Sequence, residues 1–144
     1  MKYDYYIGID TGTHTGLAVW NAKERKLEQI KTVKIHAAMD IIRAFIAISK
    51  TGVADNYVFI RVEDARQRKW FGKNSNAKLQ GAGSVKRDCT IWEDFLTDLG
   101  ASFEMVSPAN NKTKLNAEQF KRITKYSGQT NEHNRDASML VYGK

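Results

Sequence analysis

The chain opens with an apolar run that ends in a carboxylate, Tyr5-Tyr6-Ile7-Gly8-Ile9-Asp10. Thr11-Gly12-Thr13-His14 follows at once, and then a second apolar run, Thr15-Gly16-Leu17-Ala18-Val19-Trp20. Two such runs around a glycine-bearing turn predict a hairpin. Side chains alternate across a strand, so Ile7 and Ile9 face one way while Gly8 and Asp10 face the other. The near-continuous apolar character before Asp10 suggests a strand covered on both faces. A carboxylate held at the tip of such a strand is costly to keep there unless something positive meets it. Gly12 and Gly16 let the backbone turn tightly and approach a ligand closely. The plain alternative is an ordinary hairpin whose aspartate caps a turn.

Three strands come first, at about 4–10, 15–21 and 26–34. The third alternates apolar and polar residues, which predicts a half-exposed strand. From His36 to Lys50, Ala37, Ile41, Ala44, Phe45 and Ile48 recur at helical spacing, and Gly52 stops the pattern. A fourth strand covers 57–63, followed by a loop over 64–77 that is long for a compact domain. The next helix, 78–99, carries Val85, Cys89, Trp92, Phe95, Leu96 and Leu99 on its buried side, and Gly100 ends it. A short strand at 102–106 and helices at 116–126 and 131–143 complete the chain. Three antiparallel strands followed by helix–strand units predict an α/β fold, a mixed five-stranded sheet with helices on both faces. A length of 144 residues without repeat, linker or low-complexity tract fits one domain.

The second strand-like run of interest, Tyr57-Val58-Phe59-Ile60-Arg61-Val62, ends in Glu63-Asp64. Adjacent strand residues face opposite ways, so only one of these two carboxylates reaches a given site. Glu63 is chosen because Tyr57, Phe59 and Arg61 share its side. Near the other end, Glu132-His133-Asn134-Arg135-Asp136-Ala137 opens a helical pattern, and residues three apart share a helix face, so His133 and Asp136 can point at one spot. Glu132 at the helix start serves the helix dipole instead. His133 has the alternative of packing at the helix start, and His14 and His36 read as structural or solvent-facing. Brought together, Asp10, Glu63, Asp136 and His133 would repel unless cations sat among them. Hard oxygens with one imidazole suit Mg²⁺ or Mn²⁺, and paired ions of this kind clamp the attacking and leaving oxygens in phosphodiester cleavage.

The charge is consistent with a polyanionic partner: 23 basic residues against 16 acidic, a net +7. Distribution says more. Arg66, Arg68, Lys69 and Lys73 surround Trp70 and Phe71, while Lys112, Lys114 and Lys121 lie in a second basic stretch. Cations neutralise phosphates, and exposed rings stack on or wedge between bases, so these residues are candidate DNA contacts. The alternative is a solvated loop and an ordinary amphipathic helix face. The single cysteine, Cys89, forms no internal disulfide and reads as a packed small residue, which suits a reducing cytosol. No apolar run reaches the length of a membrane span and the N-terminus lacks a signal-peptide pattern, so a cytoplasmic or nucleoid-associated protein is expected.

Taken in order, these motifs resemble RuvC-type Holliday junction resolvases, members of the RNase H-like nuclease superfamily. The resemblance rests on the Asp10-Thr11-Gly12-Thr13 hairpin, the Val62-Glu63 strand end and the His133-x-x-Asp136-Ala137 helix. Between them, Lys78-Leu79-Gln80-Gly81-Ala82-Gly83-Ser84-Val85 resembles the small-residue start of the helix after the family's glutamate. Val106-Ser107-Pro108-Ala109-Asn110-Asn111-Lys112 resembles its strand, proline and basic segment, and Gly128 falls where the family has glycine-bearing turns. Thr11 stands where the family usually has proline, and His133 where many members have aspartate. The resemblance implies that the first and fourth strands are neighbours and that the last helix brings His133 and Asp136 to Asp10 and Glu63. It implies two Mg²⁺ ions (Mn²⁺ as substitute) held by Asp10, Glu63, His133 and Asp136, cleavage of four-way DNA junctions, and a homodimer for the paired cuts. Gly81 and Gly83 would permit close helix packing at such an interface.

Three other functions compete. An RNA-processing relative of the same superfamily, as in the YqgF group, would share the phosphate chemistry. Ile9-Asp10-Thr11-Gly12-Thr13 also resembles the first phosphate loop of sugar kinases and actin-like ATPases, but those need a second similar domain for which 144 residues leave no room. A non-catalytic junction-binding protein would have no use for the retained acidic set.

Overall fold

The computed structural model describes residues 2–51, 57–68, 76–111 and 114–144, with the backbone alone for 76–80 and 82. β1 (Tyr5–Asp10), β2 (His14–Asn21) and β3 (Lys26–Lys34) form an antiparallel meander. α1 (Ile35–Ser49) leads over to β4 (Val58–Glu63), which pairs parallel with β1, and α2 (Asn76–Asp98) leads to β5 (Phe103–Val106), parallel with β4. α3 (Ala117–Thr124) and α4 (Glu132–Val141) follow. The strand order β3-β2-β1-β4-β5 is the mixed five-stranded α/β sheet expected above, with β1 and β4 side by side at its centre. Among the described residues, no helix is long and apolar enough to cross a membrane.

Strand alternation divides the interior into two layers. Ile7 and Ile9 of β1, Leu17 and Val19 of β2, and Val58, Ile60 and Val62 of β4 meet Ala38, Ile42 and Ile46 of α1 and Trp92 and Leu96 of α2. On the opposite face, Ala18 and Trp20 meet Ala137, Leu140 and Val141 of α4. Both faces of β1 are therefore covered, as its apolar run implied.

Three expectations are corrected. The stripe predicted for α1 included Ala37, Ala44 and Ile48, yet the buried residues are Ala38, Ile42 and Ile46, and Ile48 is 48% exposed. This helix carries apolar residues nearly all round, so periodicity alone leaves its inward face undetermined by about one residue, or ~100° of rotation. Tyr57 does not share the side of Phe59 and Arg61. It precedes the first residue of β4, and its ring lies with those of Tyr5 and Phe45 in the α1 layer. The segment expected to be loop from 64 opens with a 3₁₀ turn, Ala65–Gln67, capped by Asp64, and α2 begins at Asn76.

α4 lies unusually close to the sheet. A Cβ at Gly8 would meet the Ala137 carbonyl oxygen at 2.0 Å, and one at Gly16 would meet the His133 carbonyl oxygen at 2.1 Å. Strand glycines here serve close backbone approach by a helix. Gly16 had been expected to serve a ligand. Gly12 is the residue that turns the hairpin, with φ +149°.

Candidate active site

The two central strands end side by side, so Asp10 at the end of β1 and Glu63 at the end of β4 open on the same edge of the sheet. Asp10 shares the face of Gly8, and Glu63 that of Arg61, which is the α4 face. The first turn of α4 then supplies His133, and the next supplies Asp136. All four residues line one cleft of about 190 Å³, together with Thr11, Arg68, Gly81, Lys114 and Glu132. Residues 123 positions apart in the chain touch directly: His133 Nδ1 lies 3.1 Å from Asp10 Oδ2.

Local sequence fixes the start of α4. Asn131 accepts from the Asn134 N–H at 3.0 Å, and the Asn134 side chain accepts from the Asn131 N–H at 2.9 Å, a reciprocal cap. The Thr32 hydroxyl donates to Asn131 Oδ1 at 2.9 Å, tying this cap to β3. Arg135 donates to the Leu115 carbonyl at 2.8 Å and to the Thr130 hydroxyl at 3.1 Å. At the far end, Arg61 donates to the Leu140 carbonyl and pairs with Glu104.

The carboxylates are buried and held by protein donors. Glu63 is 4% exposed. Arg68 Nη2 donates to its Oε1 at 3.2 Å, and Asn111 Nδ2 donates to its Oε2 at 3.1 Å. The same amide group reaches the Asp136 backbone carbonyl at 3.2 Å. Asp136 Oδ1 accepts the Lys114 N–H at 3.1 Å, from a residue in the left-handed region at φ 65°. A non-glycine residue there is uncommon and concentrates at functional sites. Burial, then repulsion from Glu63, pushes the Asp10 carboxyl up to about 7, although the His133 contact pulls the other way. Burial raises Asp136 as well, the Lys114 N–H opposing it. Cys89, fully buried beneath the cleft, has its Sγ 3.4 Å from the Thr11 hydroxyl.

The donor set suits a hard divalent cation in its chemistry, carboxylate oxygens with one imidazole. Among the described residues, however, no three His, Cys, Asp or Glu side chains stand close enough together to hold an ion as they are placed. The oxygens of Glu63 rest instead on Arg68 and Asn111, and Oδ1 of Asp136 on Lys114.

Of the other residues singled out in the sequence, some lie where they are expected and some do not. Asp64 is buried and turned away from Glu63, held by Arg66 at 2.7 and 3.0 Å and by Gln67 at 3.1 Å. Burial alone would raise its carboxyl, but these bonds outweigh it and hold the group below its ordinary value. Arg66 also pairs with Glu93 at 2.7 Å, so its charge is met within the protein. The Lys114 ammonium pairs with Glu132 at the cleft rim. Lys121 is exposed on α3, away from these carboxylates. His14 and His36 are exposed. Nothing in the described chain lies within 4 Å of a Cβ at Gly81 or Gly83. Lys69, Trp70, Phe71, Lys73 and Lys112 lie outside the described residues. The sequence reading missed Asn111 and Gly8 as contributors to the site. A glycine inside an apolar strand was the available signal for the second, and nothing local marked the first.

No protein-family model and no curated protein matches the chain. Among solved structures it is similar to T. thermophilus RuvC in complex with Holliday junction substrate, with a TM-score of 0.53 and 18% identity over 94% of this chain and 88% of that one. The fold is RuvC-like, of the RNase H-like kind, and at this identity the likeness is one of fold.

Proposed function

We propose that this RuvC-like chain is a divalent-metal-dependent endonuclease that cuts four-way DNA junctions. The observation that supports this best is the meeting of Asp10, Glu63, Asp136 and His133 in one cleft, from three elements far apart in sequence. A buried carboxyl pushed up to about 7 by burial and a neighbouring glutamate belongs to a cluster short of positive charge. Asp10, Glu63 and Asp136 would hold Mg²⁺, with His133 beside them. A cation would have to compete with Arg68 for Glu63 Oε1. Divalent ions bound there would neutralise the carboxylates and stabilise charge developing on a phosphodiester. His133 is 47% exposed with Nδ1 on Asp10, so it would meet solvent and substrate at the cleft mouth. Lys121, Lys69, Lys73 and Lys112 would meet phosphates, Arg68 would pass from Glu63 to one of them, and Trp70 and Phe71 would sense the open base steps at a junction's crossing point. Paired cuts call for a homodimer.

The test is to incubate the protein with a four-way junction, a matched duplex and a structured RNA, with and without Mg²⁺. Junction cleavage only with Mg²⁺ is expected. Cleavage of the RNA in preference to the junction would move the reading to RNA processing, and binding without cleavage of any substrate would remove the enzymatic reading.

A further inference from the structure

The segment after β5 does more than connect it to α3. β5 runs parallel to β4, with Val106 opposite Glu63, so the chain leaves the sheet beside the glutamate. A 3₁₀ turn, Pro108–Asn110, then brings Asn111 back to the Glu63 carboxylate. Its amide nitrogen has two hydrogens and two partners: Glu63 Oε2 at 3.1 Å and the Asp136 carbonyl at 3.2 Å. One side chain therefore ties the strand-borne Glu63 carboxylate to the helix backbone at Asp136.

Asn111 also carries a cost. Its Oδ1 is buried without a hydrogen-bond partner among the described residues. Burying an unpaired acceptor is unfavourable, and an apolar residue of similar size would avoid that. Local choices that work against stability are expected where a residue serves a site. The chemistry suits one role in particular. A neutral amide orients a carboxylate while leaving its negative charge intact, whereas a guanidinium such as that of Arg68 neutralises it. Groups that bind metals are commonly oriented by hydrogen bonds from outside the ligand set.

We infer that Asn111 is a positioning residue: it sets the distance and orientation of Glu63 relative to Asp136 for a divalent cation. This rests on the metal reading of the cleft given above. Mn²⁺ affinity, measured by titration calorimetry on the full chain without DNA, and thermal stability in EDTA separate positioning from mere packing. Asn111→Leu removes both donated bonds and the orphaned acceptor at similar volume. It should weaken Mn²⁺ binding by ~10–100-fold, the usual effect of losing a ligand's orienting partner, while the melting transition in EDTA stays cooperative and well above the titration temperature. Asn111→Ala should weaken Mn²⁺ binding to a similar degree and serves if leucine does not fit. Mn²⁺ affinity unchanged in both variants overturns the inference, as does a parent that takes up no Mn²⁺, which also removes the metal reading. A parent that binds Mn²⁺ through Asn111 yet leaves every junction uncut supports the inference and overturns the cleavage reading alone.

Discussion

On the α1–α2 side of the sheet, Ile7, Ile9, Leu17, Ile60, Val62, Trp92 and Leu96 fill the interior with large side chains, whereas on the α4 side Gly8 and Gly16 remove side chains so that a helix backbone lies against the strands. The first arrangement gains stability from buried apolar area and tolerates small losses of volume. The second gains position. With the Ala137 and His133 carbonyls pressed onto strand glycines, α4 has little freedom to shift, and His133 and Asp136 arrive at Asp10 and Glu63 at a set depth. One face of the sheet holds the fold together and the other positions the residues of the cleft.

The largest effect comes from filling the glycine face. Gly8→Val would put side-chain atoms where the Ala137 carbonyl oxygen lies 2.0 Å from a bare Cβ, and the obstacle is backbone, which cannot swing aside. Overpacking of this kind should cost at least about 3 kcal/mol in denaturant unfolding, lift α4 from the sheet and abolish metal binding. On the opposite face, Ile60→Val should cost about 0.5–1.5 kcal/mol and leave Mn²⁺ affinity unchanged. Equal losses of metal binding in the two variants would erase the distinction between the faces.

A second effect separates stability from chemistry within the site. Asp10 holds its proton more tightly folded, at about 7, than at its ordinary value of 3.8. The folded metal-free chain therefore binds more protons than the unfolded chain between those values, and its stability falls as pH rises from about 4 to about 7, by at most about 1.4 kcal/mol per unit. Asp10→Asn removes the charge that causes this. In EDTA the variant should exceed the parent by up to about 4 kcal/mol at pH 8, match it near pH 4, and fail to cut DNA. Melting curves across that pH range decide it, and a parent as stable as the variant at pH 8 would mean that the cluster carries no charge strain.

The two faces also differ in how legible they were. The element sequence and bounds follow from apolar runs and their periods, which are local signals, so β1 to β5 and the four helices were readable within a few residues, whereas the pairing of β1 with β4 was implied by the family resemblance alone. That Asp10, Glu63, His133 and Asp136 meet in one cleft was implied by the family resemblance, since no local signal brings three separate elements together. The inward face of α1 was not readable, because its apolar residues nearly encircle it. Neither was the pairing of Arg66 with Asp64 and Glu93, nor that of Lys114 with Glu132, and both basic residues had been assigned to DNA. Such pairings depend on what folding brings near, and Asn111 is the extreme case, with partners 48 and 25 positions away.

The smallest effect compares two helix starts of like chemistry. α3 and α4 each begin with a reciprocal asparagine cap: Asn116 accepts the Gln119 N–H at 2.8 Å, and Asn131 accepts the Asn134 N–H at 3.0 Å. Only Asn131 is also bonded to the sheet, through the Thr32 hydroxyl, and only α4 carries site residues in its first two turns. Asn116→Ala should cost about 1 kcal/mol for its lost cap, and Asn131→Ala slightly more, because it also loses the Thr32 bond. Their effects on the site should differ. Fraying at Asn131 loosens His133, two residues further on, against Asp10 Oδ2, so Mn²⁺ affinity should fall several-fold in that variant and stay at the parent's level in Asn116→Ala. Denaturant midpoints with calorimetric Mn²⁺ titrations of the same samples make the comparison. Equal metal affinity in both variants would mean that the glycine contacts alone, without the cap at its start, hold α4 in register with the carboxylates.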